Sequence, residues 1–311
     1  MESKIDIAAD DQSSPLTSRL YKSPSARNEV LSAYDRLLRE WQADYVSRFI
    51  PTEFGETHVI ESASTGAMTN PIPLLLIPGG QGTAGMWGPV IPTLGKTHRI
   101  FSVDLIDQVG RCRPERVLKS AQDASEWISQ TLDGLGLQQV DVMGNSIGSY
   151  MAANFALKYP HRINRLVLTA PAATFAQVRL GYVLRVLIAM ASPLRRSSEK
   201  FVARTANYRG DPNSPLNKLL VSAMHGTRVI SKLTPRRLGL EAIEAWSTPT
   251  LAVFGECDDV NDTTSAETIK HLAKVAPTIR TTMIPDAGHI FTTDDFVACA
   301  GSALEFLSEE T

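Results

Sequence analysis

Val142-Met143-Gly144-Asn145-Ser146-Ile147-Gly148-Ser149-Tyr150 places a serine between two glycines directly after an apolar run. This is the pattern by which a strand-to-helix turn presents a nucleophile. A serine on so tight a turn sits in strained backbone geometry. A side chain two residues before or after it collides with the neighbouring strand and helix, so glycine suits both places. The bare string is a weak signal, and its flanks give it weight. Gln139 to Met143 reads as a buried strand and Ile147 to Leu157 as an alanine-rich helix.

The pattern repeats outward from that turn. Thr57 to Glu61, Pro73 to Ile77, Arg99 to Asp104, Val140 to Met143, Arg165 to Ala170, Thr250 to Gly255 and Thr281 to Pro285 read as short apolar strands. Amphipathic stretches separate them, such as Ala124 to Leu135 with Ala124, Trp127, Ile128, Leu132 and Leu135 on one face. Strands buried on both faces and alternating with helices predict an α/β fold with a mostly parallel central sheet, and ligands at the carboxyl ends of its strands. Upstream, Val30, Leu31, Tyr34, Leu37, Leu38, Trp41 and Tyr45 predict a helix over Ala26 to Val46. Residues 1–27, rich in Ser, Asp and Pro, read as a loose tail. Residues 28–175 read as the first part of the core, 176–240 as an inserted helical lid and 241–311 as the second part of the core.

A serine hydroxyl is a poor nucleophile unless a base takes its proton and a buried carboxylate orients that base. Of the six histidines, His58, His98, His161, His225 and His271 fall in strand, turn, loop, insertion and amphipathic helix, where packing or surface histidines are ordinary. His289 differs: it follows Ile284-Pro285-Asp286-Ala287-Gly288 at the end of the last predicted strand, on the sheet edge that carries Ser146. An acid is offered past the preceding strand by Gly255-Glu256-Cys257-Asp258-Asp259.

Composition sets limits. The 311 residues suffice for one large α/β domain with an insertion, at a net charge of −2. The opening residues are charged and lack an apolar signal core, and no uncharged run reaches membrane-spanning length, so a cytoplasmic protein with no membrane span is expected. Cys112, Cys257 and Cys299 are too few for a disulfide framework or zinc site. They read as buried or half-buried free thiols in a reducing compartment. Nucleic acid is disfavoured as a partner, and nothing bears on oligomeric state.

Taken in order, Phe54-Gly55-Glu56-Thr57-His58-Val59-Ile60, Leu74 to Trp87, Ser102-Val103-Asp104-Leu105-Ile106-Asp107, Gly144 to Phe175, Gly255-Glu256-Cys257-Asp258 and Asp286-Ala287-Gly288-His289 resemble the α/β-hydrolase superfamily, and within it carboxylesterases of the bacterial naproxen-esterase type. The resemblance implies the α/β-hydrolase fold, with Ser146 as nucleophile, Asp258 as acid and His289 as base, in the family's chain order. Asp259 and Asp262 stand as alternatives for the acid. It also implies an oxyanion hole from the N–H groups of Gly80 and Ile147, and no metal or organic cofactor. Pro78, where a histidine is usual, and Ser149, where a glycine is common, depart from the family pattern.

The implied activity is hydrolysis of a small-molecule carboxylic ester. Gly144-Asn145-Ser146-Ile147-Gly148 also resembles the elbow of hydrolases that cleave a C–C bond in ring-cleavage diketones. A thioesterase, a lactonase or a low-turnover small-molecule receptor fits the same residues. The lid stands out in charge, with twelve Lys and Arg against two acidic residues over 176–240. Arg179, Arg185, Arg195, Arg196, Lys200 and Arg204 crowd its first half. They form either a solvated basic face or a dipole-like subdomain contact, or else a surface for an anionic or carrier-bound substrate or an acidic membrane. The apolar run Val183 to Met190 is expected to cover the enzyme's own pocket rather than lie on a membrane.

Overall fold

The computed structural model describes residues 14–63, 66 and 71–309. Ser14 and Ser23 each cap a helix that has proline in its first turn, giving α1 (Pro15–Leu20) and α2 (Pro24–Arg39). The chain then runs through β1 (Tyr45–Thr52), β2 (Gly55–Ser62), β3 (Leu74–Ile77), a 3-10 turn (Ala84–Val90), α3 (Ile91–Leu94), β4 (Ile100–Val103) and the two-residue β5 (Arg113–Pro114). Next come α4 (Ala121–Gly134), β6 (Val140–Asn145), α5 (Ile147–Lys158) and β7 (Ile163–Thr169). Four successive helices follow, α6 (Leu180–Ala191), α7 (Arg195–Thr205), α8 (Pro215–Gly226) and α9 (Leu240–Glu244). The chain returns to the sheet with β8 (Thr250–Gly255), α10 (Ser265–Val275), β9 (Ile279–Ile284) and α11 (Thr293–Leu307).

The strands form one sheet in the order β1-β2-β4-β3-β6-β7-β8-β9, with β5 beside β2. From β4 to β9 every pairing is parallel, while β1, β2 and β5 add an antiparallel edge. Period-two alternation sends successive strand residues into two cores. Leu74, Leu76, Met143, Val167, Leu251 and Val253 pack with α2, α11 and the lid helices. Leu75, Ile77, Val142, Leu168, Ala252 and Phe254 pack with α4, α5 and α10. Both faces are therefore buried, which explains the uniformly apolar strands.

Two expectations need correction. Helix α2 stops at Arg39 rather than Val46, and Tyr45 opens an edge strand. Trp41 and Tyr45 keep helical spacing, but Trp41 is anchored elsewhere: its indole N–H donates to Gly85 O at 2.9 Å. Pro51 fits at an edge, where its missing N–H leaves no ladder bond unmade. The second correction concerns the tail. Residues 1–13 lie outside the described residues, but 14–27 are ordered as α1 and the start of α2.

That segment straps the lid to the core. Leu20 and Tyr21 are buried, Lys22 N–H donates to Gly226 O at 2.8 Å, and Arg228 N–H donates to Leu20 O at 2.7 Å. Lys22 Nζ also donates to His225 O at 2.6 Å. Deleting residues 1–23 is therefore expected to cost stability. Burial of a large apolar side chain contributes about 1.5–3 kcal/mol, so losing Leu20 and Tyr21 removes about 3–6 kcal/mol, read as a lower denaturant midpoint than that of the full chain.

Candidate active site

The turn after β6 is a strained elbow. Ser146 has φ 53° and ψ −115°, outside the regions L-residues favour, and Ile147 directly behind it opens α5. The flanking glycines are a steric necessity. A Cβ on Gly144 would lie 2.6 Å from Gly148 O, and one on Gly148 2.4 Å from Ile77 O. The elbow is also braced from below. The Ser149 hydroxyl lies 2.8 Å from Gly144 O and 3.0 Å from Thr169 O, and Asn145 Nδ2 donates to Thr169 Oγ1 at 3.0 Å. Ser149, the departure from the family's glycine, thus ties the helix to the strand.

Because β6, β7, β8 and β9 run parallel, the loops after β8 and β9 emerge on the edge that carries Ser146. Glycine lets those two loops touch: a Cβ on Gly255 would meet Gly288 O at 2.4 Å. Cys257 N–H donates to Ala287 O at 2.8 Å and locks the contact. The result is a continuous relay, with Ser146 Oγ 2.7 Å from His289 Nε2 and His289 Nδ1 2.8 Å from Asp258 Oδ2. His289 and Asp258 are each 4% exposed at the side chain, while Ser146 is half-buried and open to one side. In the tautomer whose Nδ1–H donates to Asp258, Nε2 is left to accept the serine proton.

The two alternative acids do other work. Asp259 Oδ2 accepts from Arg185 of α6 at 2.7 Å, and Asp262 Oδ1 accepts from Gln177 N–H at 3.0 Å, so both tether the lid's entry. Asp258 Oδ1 in turn accepts from Val260 N–H at 2.9 Å, which fixes the carboxylate facing His289.

Gly80 lies next to Ile147: a Cβ built on Gly80 would be 3.8 Å from Ile147 Cγ2 and 3.6 Å from Gln108 Oε1. Ile147 is the first residue of α5, so its N–H has no acceptor within the helix and carries the positive end of the helix dipole. Two residues that sequence reasoning did not single out also belong here. Tyr182 of α6 sets its ring edge-on to His289, centroids 6.0 Å apart. Burial, reinforced by the Asp258 and Asp259 carboxylates, pushes its phenol far up, so it stays a neutral wall. Gln108 Oε1 accepts from Gln81 N–H at 3.4 Å beside Gly80. No local pattern marks either residue, because each is brought in by tertiary packing alone.

A second constellation shares the distances of the first. Ser47 Oγ lies 2.7 Å from His58 Nε2, and His58 Nδ1 2.8 Å from Asp104 Oδ2. Its setting differs, however. Ser47 sits mid-strand in β1 with no helix N-terminus behind it, and both His58 and Asp104 are fully buried. Asp104 gathers several donors: Tyr34 Oη at 3.0 Å, Ala84 N–H at 2.7 Å and Arg111 N–H at 2.8 Å. It is a structural hub that ties α2, the start of the 3-10 turn and β2 together. Among the described residues no group of three or more His, Cys, Asp or Glu side chains converges as a metal-ligand set. Cys112 and Cys299 are buried free thiols, burial pushing Cys299 up to about 12, whereas Cys257 is exposed rather than half-buried.

Residues 72–295, over two thirds of the chain, match the family model described as the alpha/beta hydrolase fold. The chain belongs to the α/β-hydrolase fold family. "Carboxylesterase YbfK" of Bacillus subtilis is 25% identical over 264 residues, covering 83% of this chain and 86% of that one. "Uncharacterized carboxylesterase nap" of the same organism is 26% identical over 291 residues, covering 89% and 92%. The solved structure of naproxen esterase from B. subtilis superposes with a TM-score of 0.81 at 23% identity, over 92% of this α/β hydrolase and all of that chain.

The hub at Asp104 makes a prediction distinct from the relay at Ser146. Burial pushes its carboxyl up, but the His58 charge and the hydrogen bonds from His58, Ala84 and Arg111 outweigh that and hold it below the usual aspartate range. A carboxyl depressed on folding stabilises the protein above its unfolded value, about 3.9, and that stability is lost as pH falls through the folded value. Asp104→Ala strands His58 and the donors around it, at a cost of about 3–5 kcal/mol at neutral pH. The variant should accordingly lose less stability than wild type on acidification below that range. Ser47→Ala should leave turnover unchanged.

Proposed function

We propose that this α/β hydrolase cleaves a small-molecule carboxylic ester through a covalent acyl-enzyme on Ser146. The observation that carries the proposal is the hydrogen-bonded relay Ser146–His289–Asp258, at 2.7 Å and 2.8 Å, on a positive-φ elbow at a helix N-terminus. The names of the two Bacillus relatives, both carboxylesterases, favour an ester as the bond cleaved.

In this reading Ser146 Oγ attacks the ester carbonyl carbon as its proton passes to His289 Nε2. Asp258 holds the Nδ1–H and offsets the imidazolium charge that forms. The N–H groups of Gly80 and Ile147 receive the negative charge on the carbonyl oxygen, where preorganised donors cost no reorganisation. Collapse of the tetrahedral intermediate expels the alcohol, which takes the proton from Nε2. Water then attacks the acyl-enzyme with His289 again as base, and the acid leaves with Ser146 restored.

Ser146→Ala and His289→Ala should each lower kcat by about 10⁴-fold or more on an ester substrate while leaving the folded state intact. The double variant should lose no more than either single one, because the residues act as a unit. Asp258→Asn should be far more damaging than Asp259→Asn or Asp262→Asn. Near wild-type turnover by Ser146→Ala overturns the mechanism.

The reaction class is tested separately, by assaying aryl and alkyl esters, a thioester, a lactone and a vinylogous diketone side by side. A burst of alcohol equal to the enzyme concentration is expected with a slowly deacylating ester. Preference for the diketone over every ester would move the assignment to C–C hydrolysis. Stoichiometric acylation without turnover on any substrate would leave a receptor.

A further inference from the structure

Helix α6 has the wrong surface for a lid that merely closes on its own pocket. Tyr182, Val186, Ala189 and Met190 form its packed face, with Tyr182 against His289. The opposite face is also apolar and is open to solvent. Leu180, Val183, Leu184, Leu187 and Ile188 recur at i, i+3, i+4, i+7 and i+8, from 40% exposed at Val183 to 82% at Leu180. Leu194 continues the apolar surface in the link to α7 at 66% exposed. A contiguous stripe of this kind on a water-soluble domain marks an interaction surface rather than chance exposure.

Helix α7, packed against α6, adds charge. Arg196, Lys200 and Arg204 are exposed and lie at i, i+4 and i+8, so they form one cationic row. Arg196 and Lys200, with Arg195, Arg209 and Lys218, line a groove of about 570 Å³ that contains a single carboxylate, Glu199. Arg195 is tied to Glu29, and Arg209 to Asp295 at 2.7 Å. Among the described residues Arg196, Lys200, Arg204 and Lys218 have no carboxylate partner.

We propose that the outer face of α6, with the adjacent cationic row of α7, docks this protein on an anionic phospholipid surface. An apolar helical stripe enters the boundary between headgroups and acyl chains, while neighbouring cations meet the phosphates. A second copy is a poorer occupant. A twofold contact through this face would bring two lids of net charge +10 together. An acidic carrier protein would satisfy the cations and leave the leucines in water. No described helix is long and apolar enough to cross a membrane, so this is attachment in the plane of the surface. Resting on the ester reading above, docking also names the substrate class, acyl esters held in a lipid surface, because the other face of α6 carries Tyr182 against His289.

The full chain carrying Ser146→Ala, which keeps the lipid intact, is sedimented with vesicles of phosphatidylcholine alone or mixed with phosphatidylglycerol. Using the inactive variant separates docking from hydrolysis, so failure of one reading leaves the other standing. Partition onto the phosphatidylglycerol vesicles should exceed that onto phosphatidylcholine by roughly tenfold or more and fall with added salt. Leu184→Asp/Leu187→Asp and Arg196→Glu/Lys200→Glu should each reduce it by roughly tenfold, and Leu157→Asp on α5 should not. No vesicle binding, equal binding to both vesicle types, or binding unaltered in both double variants overturns the proposal. So does a concentration-dependent dimer that Leu184→Asp/Leu187→Asp abolishes in the absence of lipid.

Discussion

The rest of the site depends on the left-handed backbone at Ser146. A non-glycine residue at φ 53° costs on the order of 1–3 kcal/mol, and the surrounding structure must over-determine it. Here that is done by close backbone approach. Gly144 and Gly148 admit neighbouring carbonyls that no side chain would tolerate, while Ser149, Asn145 and Thr169 hold strand and helix in register. With the turn fixed, Ser146 Oγ stands above the centre of the sheet, and the parallel strands on one side of β6 set where a base and an acid can arrive.

Two Ser-His-Asp arrangements in one molecule share their distances and differ in their settings. Around Ser47 the histidine and carboxylate are sealed in, the serine lies on a regular strand, and Asp104 is committed to four donors from four parts of the chain. Around Ser146 the serine is half-open, a helix N-terminus stands behind it, and Gly80 leaves room in front. The first arrangement stabilises charge that is already present. In the mechanism we propose, the second offers the N–H groups of Gly80 and Ile147 to charge that has yet to form, the arrangement that electrostatic catalysis requires.

Much of this was legible in the sequence because it is local. The elbow, the apolar strands and the glycine-flanked loops carrying Asp258 and His289 are each written within a few residues, and the order of strands puts them on one edge. What escaped is long-range. Edge strand β1 was hidden because Trp41 and Tyr45 continue the spacing of α2, although the helix ends at Arg39 and the Trp41 indole bonds to Gly85 instead. Residues 14–27 have a tail-like composition, yet the backbone of Leu20 and Lys22 pairs with Arg228 and Gly226, some 200 residues further along, and the Tyr21 hydroxyl reaches Gly110. The apolar stretch in α6 was visible, but sequence alone could not show that it exceeds what the pocket needs and leaves a face outside. Tyr182 reaches His289 only because that helix lies where it does.

The central claim is that Ser146, and no other serine, is the group made nucleophilic by this fold. Labelling the native protein with a fluorophosphonate and mapping the adduct by peptide mass spectrometry tests it most directly, because Ser47 offers an internal rival with the same hydrogen-bond distances. A single phosphonylated peptide bearing the adduct on Ser146, with Ser47 unmodified, is the expected result. An adduct on Ser47 or on any other serine, or an unlabelled Ser146 in protein that hydrolyses esters, would contradict the account.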